Sequence, residues 1–263
     1  MLIIISLFAS ISPLNLADSL YLSKNYYDAA TEYERFLYHF PADSNSEYAR
    51  FQLGLSYLNA KEPDRAEKTL RESIRSGDFY SRKAQLVLAE NFIKNTQYYQ
   101  ARTEIQDLLL FTKDTIETQR LNRLLGWIDL QENDLSRAEN DFFLAKDSLI
   151  VKEVQSLKRL PYKNLNEASL LSTILPGSGE IYCGHYWTGI SAFLINAASI
   201  VAIVYSVNKK NYVDATIVFS IFFSRVYLGS RQNAHDFAIE YNQKLYRQRI
   251  KEINKDYNLF PNQ

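Results

Sequence analysis

Four times along the first half of the chain, the same order of small, bulky apolar and polar positions comes round. The segments are LADSLYLSKNYYDAATEYERFL, LGLSYLNAKEPDRAEKTLRESI, LAENFIKNTQYYQARTEIQDLL and LGWIDLQENDLSRAENDFFLAK. Ala29, Ala66, Ala101 and Ala138 set the phase, at spacings of 37, 35 and 37 residues. Twelve positions before each stands a small residue (Ala17, Gly54, Ala89, Gly126), and four after it a bulky one (Tyr33, Leu70, Ile105, Phe142). Self-similarity at such a period predicts stacked helical hairpins. The small residues would let the two helices of a hairpin approach closely, and the bulky ones would fill the space between a hairpin and its neighbour.

The second half carries another pattern. Residues 150–166 (IVKEVQSLKRLPYKNLN) are polar, basic and broken by Pro161, as expected of a terminal capping helix and linker. Trp187–Val207 then runs for 21 residues without a charge. At about 1.5 Å per residue this crosses a hydrocarbon core of about 30 Å. A polar turn, Asn208–Asn211, leads to a second apolar stretch, Tyr212–Leu228, whose Asp214 and Arg225 lie near enough to its ends to snorkel. The pair predicts a helical hairpin across a bilayer.

The fourfold pattern resembles the tetratricopeptide repeat, over roughly residues 10–150. Pro41 falls where that family often ends its second helix, and Asn25, Asn95 and Asn133 fall in the turns inside the hairpins. The chain departs from the family in lacking the early Trp, in placing Asp129 at a usual aromatic position, and in keeping the terminal Pro only once. The resemblance implies a solenoid whose concave face binds a protein partner or peptide segment. That face would be formed by Tyr21, Tyr48, Phe51, Leu55, Leu58, Leu86, Glu90, Ile93, Arg120, Arg123 and Trp127. Aromatic residues beside arginine are typical interface anchors, although burial by the next repeat accounts for the same residue types. The family's clamp for carboxylate tails is not expected, because Leu14 and Asp18 occupy its positions in the first repeat.

Before the first apolar stretch stands ILPGSGEIYCGHYWTGISAFLINA. It resembles the Pro-Gly-x-Gly-Gln-x-Tyr-x-Gly signature of small bacterial two-span membrane domains, with Glu180 in place of Gln. Pro176, Gly177, Gly179, Tyr182, Gly184 and Gly189 match, and YLGSRQNAHDFAIEYNQ resembles the closing run of such domains with Ser230 in place of Asn. That resemblance spans residues 168–243 and implies no chemistry. The breaks at Pro176, Gly177 and Gly179 predict an interfacial or re-entrant lead-in over Leu170–Cys183. The glycines suit close packing; exposure of backbone N–H groups to a lipid phosphate is the alternative. Asn196, inside the first span, is expected to bond the second span or another copy of the chain.

Composition changes the picture little. Thirty basic and thirty acidic side chains cancel, so nothing draws the chain to nucleic acid. A single cysteine, Cys183, excludes an internal disulfide and any multi-cysteine metal site. Leu2–Ile11 suits the apolar region of an export signal, with Ala17 a candidate cleavage position, but no Lys or Arg precedes it. A packed first helix is the alternative. Glu180, His185, His235 and Asp236 flank the apolar hairpin, while His39 lies in the repeats. No catalytic motif joins them, and neither enzyme activity nor a cofactor is expected.

The expected fold is all-α, with a repeat solenoid followed by a membrane hairpin. The boundaries are a signal-like segment (1–17), four repeats (18–150), a cap and linker (151–167), a two-span domain (168–243) and a basic C-terminal helix (244–263). The expected role is a scaffold at a bacterial inner membrane with exported repeats, since Lys209 and Lys210 would then lie inside. The alternatives are a part in membrane-protein insertion, envelope assembly or transport with the two-span domain as the working element, and, third, a membrane enzyme.

Overall fold

The structure, a computed structural model, describes residues 12–77 and 79–260. The signal-like Leu2–Ile11 lies outside the described residues. Helices make up the fold, with no strand among the described residues. The chain divides into two compact units that meet between Asp147 and Ser148 in sequence.

The first unit is an array of helical hairpins: α1 (Pro13–Leu22) with α2 (Tyr26–His39), α3 (Ser46–Asn59) with α4 (Pro63–Ser76), α5 (Phe79–Lys94) with α6 (Tyr98–Phe111), and α7 (Thr115–Gln131) with α8 (Leu135–Leu144). Helix starts follow local chemistry. Pro13 and Pro63 open α1 and α4, where no N–H is required. Asp114 and Asp134 cap α7 and α8 through Ile116 N and Arg137 N, at 2.9 and 3.0 Å.

The turn inside each hairpin is the same. Lys24, Lys61, Thr96 and Asn133 all adopt left-handed backbone, with φ of 64°, 62°, 58° and 59°. In each case the next N–H reaches back five residues: Asn25 to Leu20 O, Glu62 to Tyr57 O, Gln97 to Phe92 O and Asp134 to Asp129 O. This double-bonded ending satisfies the last carbonyls of the first helix and reverses the chain. The four turns keep the spacing of the four alanine anchors.

All four alanine anchors, their bulky partners and the preceding small residues are buried. Tyr33 joins one buried cluster with Ala49, Leu53 and Tyr57 of the next hairpin. A Cβ on Gly126 would meet the Phe142 ring at 2.9 Å, so the bulky side chain seats on the small residue of its own hairpin. Ala17 is fully buried inside α1 beside the cluster containing Ala29 and Tyr33. Cleavage after it would divide α1.

Polar ties join successive hairpins. Asp18 on α1 accepts from Tyr33 and from Tyr48 on α3, the latter at 2.9 Å. Arg71 on α4 pairs with Glu104 on α6 at 3.1 Å, and Arg82 on α5 with Glu117 on α7 at 2.9 Å. The departure at Asp129 is resolved by charge: its carboxylate, fully buried, meets Arg102 at 2.7 Å.

The second unit holds α9 (Ser148–Leu157), α10 (Leu165–Ile174), α11 (Ser178–Tyr182), α12 (Tyr186–Asn208), α13 (Tyr212–Ile217), a π-helical segment (Val218–Phe223) and α14 (Ser224–Tyr257). α12 and the helix from Tyr212 onward are long and apolar enough to cross a membrane, with mean hydropathies of 2.1 and 1.3. Along α12 the buried positions are Gly189, Ala192, Asn196 and Ser199, whereas Trp187, Leu194, Val201 and Val204 are exposed. Small and polar residues face inward and large apolar ones outward, the reverse of a water-soluble core. Two boundaries move. Residues 151–157 pack within the second unit, and the basic tail is no separate helix but the continuation of α14, where Arg249 pairs with Glu153 at 2.6 Å.

Candidate functional site

The Pro-Gly-x-Gly segment folds into a turn and the short α11. Gly177 precedes α11 with a φ of 95°, and a Cβ there would stand 2.0 Å from Gly189 O on α12. Conversely, a Cβ on Gly189 would stand 2.4 Å from Gly177 O. Only two glycines allow the backbones to meet this closely. Gly179 presses on α10 in the same way, 2.0 Å from Ala168 O by that measure. Gly184 differs: space around it is open, but its φ of 89° is required by the turn that ends α11.

A buried polar chain closes the clasp. Gly177 N donates to Ser230 Oγ at 2.9 Å, and Ser230 Oγ donates to Glu180 Oε2 at 2.8 Å. Gly179 N donates to Ser172 Oγ at 3.0 Å. The N–H groups considered for a lipid phosphate are thus consumed by serine hydroxyls, and the packing reading replaces the anion-site one. Glu180 is fully buried, and burial pushes its carboxyl above the usual range against the opposing pull of Ser230, Asn233 and His185. The structural reason for Glu at this place is the Ser230 hydroxyl that meets it.

The other motif residues surround the clasp. Pro176 is half-buried ahead of α11. Tyr182 supports the Lys163 ammonium over its ring at 4.3 Å. The His185 ring stacks on Phe237 at 3.6 Å. Cys183 is buried with its Sγ 3.5 Å from Ala234 O, and burial pushes its thiol up. Asn196 does not bond the second span: its amide donates to Ala192 O of its own helix at 2.8 Å. The lead-in folds as α10 and α11, with Gly177 between them pinned to α14 and with Leu170 and Ile174 left exposed.

Of the flanking titratable residues, Glu180 lies within electrostatic reach of His185. His235 lies 3.2 Å from Asp236, and no hydrogen bond or ion pair joins these two to Glu180 or His185 among the described residues. No group of His, Cys, Asp and Glu suited to a metal occurs among the described residues either.

In the first unit, Tyr21, Tyr48, Phe51, Leu55 and Leu58 lie half-buried on α1 and α3, and Leu86 and Glu90 on α5. Several are already engaged. Tyr21 receives Asn59 at 3.2 Å, Phe51 stacks on Tyr80, Glu90 pairs with Arg120 at 2.8 Å, and Arg123 pairs with Asp147 at 3.3 Å. Trp127 and Ile93 are corrected: both are buried, at 1% and 0% exposure, and present nothing to a partner. Sequence reasoning missed an open groove of about 750 Å³ between α10 and α14, with Arg231 and His235 on one wall. Its signal was present as polar residues at helical spacing on both sides.

Compared with known protein families, curated proteins and solved structures, the chain matches none.

Proposed function

We propose that the chain is a membrane-anchored scaffold, with a tetratricopeptide-type array that holds a protein partner at a bacterial envelope membrane. The observation that carries the anchor is the inverted polarity of α12, small and polar inside and large and apolar outside. The four identical turns and the seating of large side chains on small ones support the repeat type. The face formed by α1, α3, α5 and α7 is the binding surface in this reading, with Tyr21, Tyr48 and Leu55 as its contacts. No cofactor enters it. The inner membrane, with the repeats exported, is the placement we favour.

The test is photo-crosslinking from the full chain in native membranes, with the probe at Tyr21 or Leu55 and, as control, at the exposed Tyr99 of α6. The expected result is one defined protein adduct from the first two positions and none from the third. No adduct from α1 or α3 overturns the scaffold reading and turns attention to the two-span domain as the working part. Recovery of the chain in the soluble fraction removes the anchor.

A further inference from the structure

α10 and α14 run antiparallel. Asn242 meets the Lys163 backbone at one end, at 2.7 and 2.9 Å, and the Tyr227 hydroxyl donates to Thr173 O at 2.7 Å at the other. That register gives the groove between them a polarity. At its far end Asn166 and His235 line it; in the middle lie Ser169, Leu170 and Arg231; at the near end Leu228 closes the apolar stretch that begins at Tyr212. Leu170 and Leu228 are 58% and 59% exposed, so apolar surface continues out of the groove onto the apolar helix.

Arg231 is exposed, and its guanidinium has no ion-pair or hydrogen-bond partner among the described residues. The neighbouring carboxylate, Asp236, is occupied instead by Gln232 at 2.9 Å and His235 at 3.2 Å. An unpaired guanidinium three residues beyond the end of an apolar span stands at the depth of headgroup phosphates. Its planar fork matches a phosphate's oxygens. Ser169 and Asn166 offer further donors on the opposite wall.

We propose that this groove binds an anionic phospholipid, with the phosphate on Arg231 and an acyl chain along Leu228 and the outer face of the apolar helix. Charge complementarity selects the anionic lipid: the groove brings one uncompensated positive charge, which a zwitterionic headgroup does not neutralise. The apolar end selects a lipid over free phosphate. The inference rests on the membrane reading above.

The experiment uses the full chain in lipid nanodiscs, probed with phosphatidylglycerol and phosphatidylcholine of equal chain length and read by native mass spectrometry of the retained lipid. Wild type is expected to prefer phosphatidylglycerol by roughly fivefold, the contribution of one arginine near an anionic surface. Arg231→Gln is expected to lose that preference with helicity unchanged. Arg247→Gln, an exposed cation of the same helix outside the groove, is expected to keep it. Equal retention of the two lipids, or an undiminished preference in Arg231→Gln, overturns the proposal. Displacement of phosphatidylglycerol by soluble glycerol phosphate overturns it in favour of a free-phosphate site. A chain that does not enter the nanodisc fails the membrane reading itself, whereas one that enters without lipid preference fails this inference alone.

Discussion

Leu70 Cδ2 lies 2.6 Å from the point where a Cβ on Gly54 would stand. The Leu70 side chain is fully buried. Gly54→Val is therefore expected to lower stability by about 1–3 kcal/mol through overpacking, and Leu70→Ala by about 2–5 kcal/mol through a cavity. The two together are expected to cost less than their sum, since the truncated leucine leaves space for the valine. Urea unfolding of the full chain in detergent, followed by circular dichroism, checks the coupling; strict additivity would mean the two residues do not bear on each other.

Two glycines of the second unit should respond oppositely to the same change. Gly189→Ala places a methyl against Gly177 O and is expected to destabilise the clasp, by about 1–3 kcal/mol. Gly229, inside α14, has nothing within 4 Å of a built Cβ. Gly229→Ala is expected to raise stability by about 1 kcal/mol from helix propensity alone. Thermal unfolding of both variants in one detergent gives the comparison.

Ser230→Ala removes the acceptor of Gly177 N and the donor to Glu180 together. A loss of about 1–3 kcal/mol is expected, the cost of stranding a buried polar group. Glu180→Gln keeps an oxygen for the Ser230 hydroxyl and introduces no charge, so it is expected to leave the clasp intact. Limited proteolysis within residues 175–185 reports this directly: Ser230→Ala should be cut faster than wild type, and Glu180→Gln should not.

Asp129 gives the repeat unit a pH dependence. Burial and the nearby Asp141 push its carboxyl up to about 6, against the pull of Arg102. A carboxyl whose folded-state pKa is raised carries no penalty below its unfolded value, near 4. The penalty then grows until the pH passes about 6, so this residue lowers stability progressively across that window. Asp129→Asn is expected to flatten that segment of the curve, whatever its constant effect through Arg102. Urea midpoints measured from pH 4 to pH 7 provide the test, and parallel curves for the two proteins would contradict it.

The repeat phase was legible because its determinants are local and chemical: a small residue, an alanine and a bulky side chain at fixed intervals. The turns were harder to read. Left-handed backbone is usually announced by glycine, but Lys24, Lys61 and Thr96 occupy it here, held by the two hydrogen bonds of the turn. Trp127 was misplaced because an aromatic on the first helix of a hairpin suits either face, and burial by neighbouring helices has no mark in the residue itself. The Asn196 amide N–H needed only its own helix: the carbonyl four residues earlier accepts it, while Oδ1 stays buried without a partner. The C-terminal boundary was drawn at residue 243, where the resemblance to two-span domains ends, but a helix has no need to end where a motif does.

That last point reaches beyond assignment. α14 runs 34 residues without a break, a rod roughly 50 Å long at about 1.5 Å per residue. It is continuous with an apolar stretch at one end and paired to Glu153 through Arg249 towards the other. Near its start, Ser230 pins it to the glycine clasp. A stiff rod fastened at Tyr227, Ser230, Asn242 and Arg249 acts as a splint. The apolar stretch, the clasp and α9 cannot shift separately without breaking one of these bonds.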